Sequence, residues 1–367
     1  MQFEISRESL IKPLQLVTGV VERRQTLPVL SNVLLVLKKG ILSLTGTDLE
    51  VEIVGRVGVD SLSQDGEITV PARKLMDICK SLPESASLKF EIDDNKAVIR
   101  FGRSRFSLTM LPANDFPSVE ETAGTLEFSI LQRTLKMMLD NTSFAMAQQD
   151  VRYYLNGLLF EVSADYLRLV ATDGHRLAMH TEKVKIPNAS KNQVIVPRKG
   201  ILELSRLLSE TDDEVRIVIG TNHIRAHTQN FTFTSKLVDG KFPDYDRVLP
   251  KGGDKILTAS RNDLRQALNR TAILSNEKFR GIRLTLTDDE LKVQANNPEQ
   301  EEAEEIINVE YKGPNLEIGF NVSYLVDVLG VVATDSVQLV LSDSNSSVLI
   351  RPMQDSPAVY VVMPMRL

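Results

Sequence analysis

The sequence predicts an α+β protein made of three structurally similar domains, each a twofold-like β-α-βββ unit. Two observations carry this prediction, and both are internal repeats. Each third of the 367-residue chain opens with a short strand and an amphipathic helix, with Leu10, Leu135 and Leu264 at matching positions on the apolar face. A run of alternating apolar and polar residues, broken by turn residues, follows each helix as in a meander of strands.

The order of elements continues in parallel to the end of each third. A second helix is predicted in VPARKLMDICKSL, VPRKGILELSRLL and FNVSYLVDVLGVV, and further strands follow it. Each domain is therefore expected to run β-α-βββ-α-βββ. The segments SVEETAGT and LPKGGDKI are rich in Gly, Pro or charge, as linkers are. We accordingly predict domains at residues 1–125, 126–254 and 255–367.

Residues with a preference for helix starts stand where these helices should begin. Ser6 and Ser260 precede two of the first helices, where a hydroxyl can accept a hydrogen bond from a free amide. Pro71 and Pro197 stand at the start of two second helices. Proline is favoured as the first helical residue because the amide it lacks would be unpaired there.

Composition excludes several classes of protein. Hydrophobic residues make up 42% of the chain and charged residues 25%, both ordinary for a soluble globular protein. No apolar run reaches the roughly 18 residues of a membrane span, and charges interrupt the N-terminal segment where a secretory signal would be apolar. A single cysteine, Cys79, rules out an internal disulfide framework and fits a reducing compartment. We therefore expect a cytoplasmic protein.

The distribution of charge leaves two interpretations open. The net charge of −6 argues by itself against binding nucleic acid. Basic side chains nevertheless concentrate on the predicted helices, whereas acidic ones concentrate in the segment 299–305. Either the helices expose ordinary solvated faces, or helices from all three thirds share a surface that neutralises phosphates without reading base sequence.

The residues that could indicate catalysis or metal binding are few. Asp173 and His175 in ATDGHR are the types of a carboxylate-oriented base, but no nucleophile accompanies them. His223 and His227 have the spacing of ligands on a helix, yet their segment alternates like a strand. No phosphate-binding glycine motif is present. We expect a binding protein without cofactor or metal rather than an enzyme.

Long strings at many places resemble the beta sliding clamp family of bacterial DNA polymerase III. They include VPARK, QDVRYYLNG, VATDGHRLA, FTSKLVDGKFPDY, ANNPEQEEAEE and the C-terminal YVVMPMRL, and the resemblance extends from Met1 to Leu367. It implies the DNA clamp fold, in which two chains join head to tail into a ring with helices lining the hole. It also implies a non-catalytic processivity factor that encircles duplex DNA and tethers the replicative polymerase.

The resemblance assigns residues to the DNA surface and to the seam of the ring. The residues that would contact double-stranded or primed DNA are Arg24, Arg73, Gln149, Tyr153, Tyr154, Arg198 and Lys199. The seam would join an apolar and basic surface of one homodimer subunit to an acidic surface of the other. Its residues are Lys74, Arg103, Arg105, Phe106 and Leu108 on the first side, and Ile273, Leu274, Glu299, Glu302, Glu304 and Glu305 on the second.

The family also has a peptide pocket, placed between its middle and last domains, that binds short linear motifs. The matching residues are Leu155, Thr172, Gly174, His175, Arg176, Leu177, Pro243, Arg247, Val248, Val361, Met363, Pro364, Met365 and Arg366. The partners implied are an ATP-driven clamp loader, the replicative polymerase, and other polymerases or repair proteins. The implied location is the nucleoid, with no role for a membrane.

Overall fold

A computed structural model describes residues 1–21, 27–119, 124–187, 189–353 and 356–366. Within these residues the backbone forms two compact units. One contains Met1–Leu135 and Lys199–Leu237, and the other contains Lys136–Arg198 and Val238–Leu367. Each unit therefore combines parts of two of the three sequence repeats.

The described residues contain helices and strands in all three thirds. The α-helices are α1 (Arg7–Thr18), α2 (Ala72–Ser81), α3 (Gln132–Thr142), α4 (Arg198–Leu207), α5 (Arg261–Thr271) and α6 (Val322–Val331). The strands of the first third are β1 (Gln2–Ser6), β2 (Asn32–Lys38), β3 (Ile41–Thr47), β4 (Val51–Gly58), β5 (Ser61–Gln64), β6 (Gly66–Pro71), β7 (Ser87–Asp93), β8 (Lys96–Phe101) and β9 (Ser104–Thr109). Those of the second third are β10 (Leu126–Leu131), β11 (Gly157–Ser163), β12 (Tyr166–Thr172), β13 (Arg176–Glu182), β14 (Asn192–Pro197), β15 (Glu214–Ile219), β16 (His223–His227) and β17 (Phe231–Lys236). Those of the last third are β18 (Lys255–Ser260), β19 (Gly281–Thr287), β20 (Glu290–Asn296), β21 (Glu302–Asn308), β22 (Leu316–Asn321), β23 (Ser336–Leu341), β24 (Val348–Pro352) and β25 (Ala358–Val362).

The first helices begin where the sequence predicts. The hydroxyl of Ser6 accepts from the amide of Ser9 at 3.2 Å, and that of Ser260 from the amide of Asp263 at 3.3 Å. Both serines are therefore N-caps, as expected. The matching leucine on each of these helices is buried. No helix among the described residues is long and apolar enough to cross a membrane.

The predicted order β-α-βββ-α-βββ omits strands between the two helices of each third. The first third contains the additional strand β5, and in every third a further strand immediately precedes the second helix. These strands are β6, β14 and β22, and they pair with β2, β11 and β19. Their apolar residues are mostly buried in succession, so they show no alternation that would identify a strand. Pro71 and Pro197 are consequently the last residues of strands, not the first residues of helices.

In the first unit, strands of the second third continue a sheet of the first third. Its larger sheet has the order β10-β15-β16-β17-β4-β3-β2-β6, and its smaller sheet the order β5-β1-β7-β8-β9. The two thirds meet where β17 pairs antiparallel with β4, with Phe231 opposite Gly55 and Ser235 opposite Val51. This continuous pairing explains why the compact unit cuts across the sequence repeats.

The second unit repeats this arrangement with the second and last thirds. Its larger sheet has the order β14-β11-β12-β13-β25-β24-β23-β18, and its smaller sheet the order β21-β20-β19-β22. Here β13 pairs antiparallel with β25, with Arg176 opposite Val362 and His180 opposite Ala358. The second third thus supplies four strands to each of the two larger sheets.

One pairing rule describes both junctions between thirds. The last strand of a third, β17 or β25, pairs with the third strand after the first helix of the preceding third, β4 or β13. Two strands have one of these roles but no such pairing in the described chain. They are β9, the last strand of the first third, and β21, the third strand after the first helix of the last third. Each is the edge of its sheet in the described chain, with β8 or β20 as its neighbour.

Candidate functional site

The turn between β12 and β13 carries several of the predicted pocket residues. The Asp173 carboxylate accepts hydrogen bonds through Oδ1 from the amides of His175 and Arg176, at 2.9 and 3.0 Å. The Thr172 hydroxyl donates to the carbonyl of Arg176 at 2.6 Å and accepts from the amide of Gly174 at 3.1 Å. Gly174 has a φ of 88°, a conformation that glycine adopts without steric cost. The hydrogen bonds hold this turn in one shape.

The turn between β3 and β4 has the same geometry in the first unit. Asp48 Oδ1 accepts from the amides of Glu50 and Val51 at 2.9 and 2.7 Å. The Thr47 hydroxyl donates to the carbonyl of Val51 at 2.9 Å and accepts from the amide of Leu49 at 3.1 Å. Leu49, with a φ of 77°, takes the place of glycine. Because the turn occurs twice, its aspartate is explained by backbone geometry and requires no acid-base role.

Arg176 connects its turn to two neighbouring elements. Its Nη1 donates to Asp327 Oδ2 on α6 at 2.5 Å, and its Nη2 donates to the carbonyl of Phe144 at 3.0 Å. Its Nε donates to Asp173 Oδ2 at 3.2 Å, and the guanidinium lies 4.6 Å from the ring centre of Tyr324. The Arg176 side chain is only 11% exposed. Most of its donors are thus engaged within the chain.

An apolar cluster lies beside this turn and contains part of the predicted pocket. Its buried members are Leu159, Val170, Leu177, Ile195, Phe242, Tyr245 and Val361. Tyr154 and Val248 are partly buried and pack against it. Leu177, Val248 and Val361, which the sequence assigns to the pocket, are therefore members of one packed group.

The remaining predicted pocket residues lie in three segments of the same unit. Leu155 is buried at the end of a short 3₁₀ helix, Tyr153–Leu155. The amide of Met363 donates to the carbonyl of His175 at 2.9 Å, which joins the C-terminal segment to the turn. That segment also includes Pro364, Met365 and Arg366, and the segment after β17 includes the exposed Pro243 and Arg247.

A buried carboxylate lies behind the apolar cluster. The Glu161 side chain has no exposed surface, and its Oε1 lies 3.5 Å from Nη1 of Arg168. Arg168 also donates to the hydroxyl of Tyr245 at 3.0 Å. Burial alone would raise the pKa of Glu161, but hydrogen bonds from Gln193 and Lys191 outweigh it, so the pKa is lowered. Burial raises the pKa of Tyr245 to about 12.

Two of the predicted DNA contacts are aromatic residues on one loop. Tyr153 is 58% exposed, and its ring packs edge-on against that of Tyr154 with 5.9 Å between centroids. Gly240 lies beside the Tyr153 ring and has a φ of 149°, a backbone conformation that residues with a side chain rarely adopt. Gln149 is exposed and has a φ of 55°. All three predicted side chains are thus on or beside an accessible loop.

Polar contacts brace this loop from within. The amide of Asp150 donates to Asn156 Oδ1 at 2.9 Å, and Asn156 Nδ2 donates back to the carbonyl of Asp150 at 2.8 Å. Arg152 donates to both carboxylate oxygens of Asp150, at 3.0 and 2.8 Å. The hydrogen bond from the Arg152 side chain lowers the pKa of Asp150 to about 2.

The predicted phosphate-binding cations of the first unit make contacts within the chain. Arg73 is exposed, and its Nη2 donates to the carbonyl of Val21 at 3.2 Å. Lys199 Nζ lies 2.5 Å from Asp48 Oδ2, which neutralises part of its charge. Arg24 lies outside the described residues.

Arg198 begins α4 in the second unit and is half-buried. Its Nη1 donates to the carbonyl of Met146 at 3.4 Å. Burial, followed by the charge of Arg176, lowers the pKa of Arg198. Desolvation and a like charge both disfavour the cationic form of Arg198.

The predicted seam residues of the first third lie on β9 and around it. Lys74 and Arg103 are exposed, and Arg105 Nη2 lies 3.4 Å from Asp93 Oδ2. Phe106 is half-buried, whereas Leu108 is 6% exposed. Leu108 is therefore mostly covered within the single chain, and its place in the seam stays a prediction. Residues two apart share one face of a strand, and that face turns into the core toward the end of β9.

The predicted seam residues on the acidic side are more exposed than those on and around β9. Ile273 is 75% exposed and Leu274 is half-buried after α5. Glu302 and Glu304 are exposed on β21, and Glu299 is exposed just before it. Glu305 is different, because Arg270 donates to both of its oxygens at 2.6 and 2.9 Å and thereby lowers its pKa.

Two residues of α6 contact the turn and were not predicted from the sequence. The ring of Tyr324 stacks on that of His175 at 6.2 Å between centroids, and Asp327 binds Arg176. A signal for Asp327 was present, since the sixth residue of every second helix is acidic. These residues are Asp77, Glu203 and Asp327.

The histidine pair lies on a strand, as the alternation predicts. His223 and His227 are the first and last residues of β16. Burial, and then the charges of Arg225 and Lys236, lower the pKa of His223. Among the described residues there is no group of three or more side chains of types suited to holding a metal ion.

Comparison with known proteins gives one family over the whole length. Residues 1–120, 129–244 and 246–366 match the N-terminal, central and C-terminal domains of the DNA polymerase III beta subunit. The beta sliding clamp of Pseudomonas aeruginosa is 66% identical over 367 residues, and that of Escherichia coli K12 is 54% identical over 369 residues. Each match covers 100% of this chain and 100% of the relative.

Solved structures support the same family assignment. The crystal structure of the DNA polymerase III subunit beta from Pseudomonas aeruginosa superposes with a TM-score of 0.98 at 66% identity and covers 100% of both chains. A structure of that organism's sliding clamp bound to griselimycin has the same TM-score, identity and coverage. This chain therefore belongs to the DNA polymerase III beta subunit family, the beta sliding clamps.

Proposed function

We propose that two copies of this chain close head to tail into a ring that encircles duplex DNA and slides on it. The pairing rule at the two junctions within the chain is the observation that carries this proposal. β9 and β21 have the same two roles and lie at sheet edges in the described chain. Applied between copies, the rule pairs β9 of each copy with β21 of the other, and the ring closes after two such contacts.

The chemistry of the two edges supports the same pairing. Arg103 and Arg105 stand at β9, and Glu302 and Glu304 stand on β21. Opposite charges favour this orientation over a like-with-like contact. Individual exposed ion pairs contribute only about 0–1 kcal/mol, so apolar contact by the exposed Ile273 should contribute more. The other predicted seam residues belong to this proposal, and Leu108 would support the seam from beneath Phe106 as a buried residue of β9.

A closed ring explains how a protein of net charge −6 can hold DNA. Topology retains the duplex, and a few exchangeable phosphate contacts suffice for sliding. Arg24, Arg73, Arg198 and Lys199 are the proposed cations for these contacts. Tyr153 and Tyr154, with Gln149, would meet single-stranded bases at a primed junction, where aromatic rings can stack on them.

We further propose that the turn at Thr172–Leu177 and its apolar cluster bind short linear motifs of partner proteins. The exposed Met363 and the partly buried Val248 give an adaptable apolar surface, and Arg247, whose side chain is 85% exposed, gives a polar rim. The partners would be the clamp loader, the replicative polymerase, and other polymerases and repair proteins. The related clamp that was solved with griselimycin shows that a member of the family binds a ligand.

Two further parts of the proposal concern organisation and chemistry. The domains would be residues 1–125, 126–254 and 255–367. The chain would act as an accessory subunit at the nucleoid without catalytic residues or a cofactor. The engagement of Asp173 by backbone amides and Arg176 supports this, because that carboxylate is committed to its turn.

Retention on DNA of defined topology tests the ring. The protein is incubated with a nicked circular plasmid, its cognate loader and ATP, and the plasmid is then linearised. A topological link predicts that protein remains on the circle and leaves once ends exist. Equal retention on circle and linear DNA would indicate ordinary affinity and would contradict the ring. No loading by a loader that is active on another clamp would contradict the DNA role.

A further inference from the structure

An arginine of the second third forms hydrogen bonds across the junction with the first third. Arg206 of α4 donates to the carbonyls of Leu16 and Gln15 near the end of α1, at 2.7 and 3.4 Å. It also donates to Glu203 Oε2 from two nitrogens, at 2.6 and 2.9 Å. Gly19 makes room for it, because a Cβ there would collide with the guanidinium. The unpaired carbonyls of a helix end favour a cation.

A second arginine has the same role between the second and last thirds. Arg176 donates to the carbonyl of Phe144, just after α3, and to the carboxylate of Asp327 on α6. Asp327 is the sixth residue of α6, as Glu203 is of α4. Each junction therefore contains an end of a first helix, an arginine, and the acid at one fixed position of the next second helix.

The end of α5 has two of these three components, namely the end of a first helix and an arginine. Arg280 Nη1 donates to the carbonyl of Ala272, just after α5, at 3.1 Å. Among the ion pairs of the described residues, none includes Arg280. Ile273 occupies the position of Phe144, two residues beyond the threonine that ends each helix. The Phe144 ring packs against Tyr360 at 6.0 Å, whereas Ile273 is 75% exposed.

The missing acid is available on α2. Asp77 is the sixth residue of this helix and is exposed, and none of the ion pairs of the described residues includes it. The face of α2 around it is open as well. Lys74 is exposed, whereas Gly200, at the same position of α4, is buried. Among the three second helices of the described chain, only α2 has exposed residues at both its third and its sixth position, because Gly200 is buried and Tyr324 is half-buried.

We propose that Asp77 of each copy forms an ion pair with Arg280 of the other copy. Each seam would then have the same combination of a first-helix end, an arginine and a second-helix acid as the two junctions inside the chain. This inference rests on the proposed ring and adds to it a specific residue pair beyond the edge strands and the acidic segment. The pair also determines direction, since α2 of one copy must meet the end of α5 of the other. A two-pronged guanidinium can hold the Ala272 carbonyl and a carboxylate together.

Charge reversal on separate chains tests the pairing. Arg280→Glu opposes Asp77 at both seams of its homodimer, and Asp77→Arg opposes Arg280 in the same way. We expect each variant to raise the dimer dissociation constant at least about tenfold, as for like charges brought together in an interface. In a mixture, the heterodimer has one reversed pair and one native pair. Its dissociation constant should return to within about threefold of the unchanged protein.

The constant is measured by energy transfer between labelled full-length chains in a dilution series, with thermal unfolding recorded for each variant. Arg216→Glu is the matched control, because Arg216 pairs with Glu127 between β15 and β10 and neither residue belongs to the proposed seam, and we expect no change in the dissociation constant. Failure of the mixture to restore the dimer, or equal weakening by the control, would overturn the pairing.

Two further experiments distinguish a failure of the Arg280–Asp77 pair from a failure of the proposed ring. If a reversal variant unfolds, Arg280→Gln and Asp77→Asn replace it. Each should weaken the dimer, and the double variant should weaken it no more than either one. Additive weakening would overturn the pairing. An unchanged protein that is monomeric at micromolar concentration contradicts the proposed ring, whereas a stable dimer that tolerates every reversal contradicts only the Arg280–Asp77 pair.

Discussion

The hydroxyl of Tyr245 accepts a hydrogen bond from Arg168 Nη1 at 3.0 Å and so joins an apolar cluster to a buried ionic group. Tyr245 belongs to the cluster and begins the 3₁₀ helix Tyr245–Arg247. Arg168 also approaches Glu161, which is fully buried. The wall of the proposed motif pocket is therefore attached to a charge that must remain paired.

Substitutions of Tyr245 and of Arg168 should lower the free energy of unfolding by different amounts. Tyr245→Phe removes one hydrogen bond and keeps the ring, so we expect the free energy of unfolding to fall by about 1 kcal/mol. Arg168→Met leaves the buried Glu161 with fewer compensating partners, and we expect a loss of about 3 kcal/mol. Urea unfolding measures both. Equal losses would show that Glu161 does not depend on Arg168.

Arg176→Lys should weaken the same unit although charge is conserved. Lysine has a single ammonium and cannot reach Asp173, Asp327 and the Phe144 carbonyl in the planar geometry that Arg176 uses. We expect the free energy of unfolding to fall by about 2 kcal/mol, as when a buried network loses members.

Arg247→Lys is the control for that substitution. The Arg247 side chain is 85% exposed and pairs with Asp244 three residues earlier. Its replacement should change the free energy of unfolding by less than about 0.5 kcal/mol, as for most surface substitutions. Denaturant unfolding of both variants gives the comparison. A loss at Arg176 as small as the loss at Arg247 would contradict the role of Arg176 as a connector.

The loop that presents Tyr153 should retain its internal ion pair in acid. Arg152 lowers the pKa of Asp150 from an ordinary 3.8 to about 2. A lowered pKa adds stability above the ordinary value, and that stability is lost as the pH falls from near 3.8 toward 2. Carboxyl carbon NMR of Asp150 in the folded protein should show a midpoint at a pH of about 2. Arg152→Gln should move the midpoint back up, and an unchanged midpoint would contradict the pairing.

The repeats and the starts of the first helices could be predicted from sequence because they depend on local patterns. Leu10 and Leu264 show the helix period, and Ser6 and Ser260 show the caps. The strands before the second helices could not, because burial on both faces removes alternation. The bond between Arg176 and Asp327 spans 151 positions, so only the fold brings its partners together. The residue types are visible in the sequence, but their pairing depends on which strands of different thirds adjoin.

Hydrogen exchange should detect the edge pairing that closes the proposed ring. Amides of β9 and β21 that point away from β8 and β20 would be bonded only in the dimer. Ile273→Asp should disrupt the dimer at little cost to the fold, since Ile273 is 75% exposed in the single chain. We expect outward amides of β9 and β21 to exchange at least about tenfold faster in this variant, as bonded amides become open ones. Strand β7 has neighbours on both sides, β1 and β8, and its exchange should remain unchanged. Equal exchange of β9 and β21 in both proteins, with the dimer lost, would mean that the two copies meet through side chains and that the pairing rule ends within the chain.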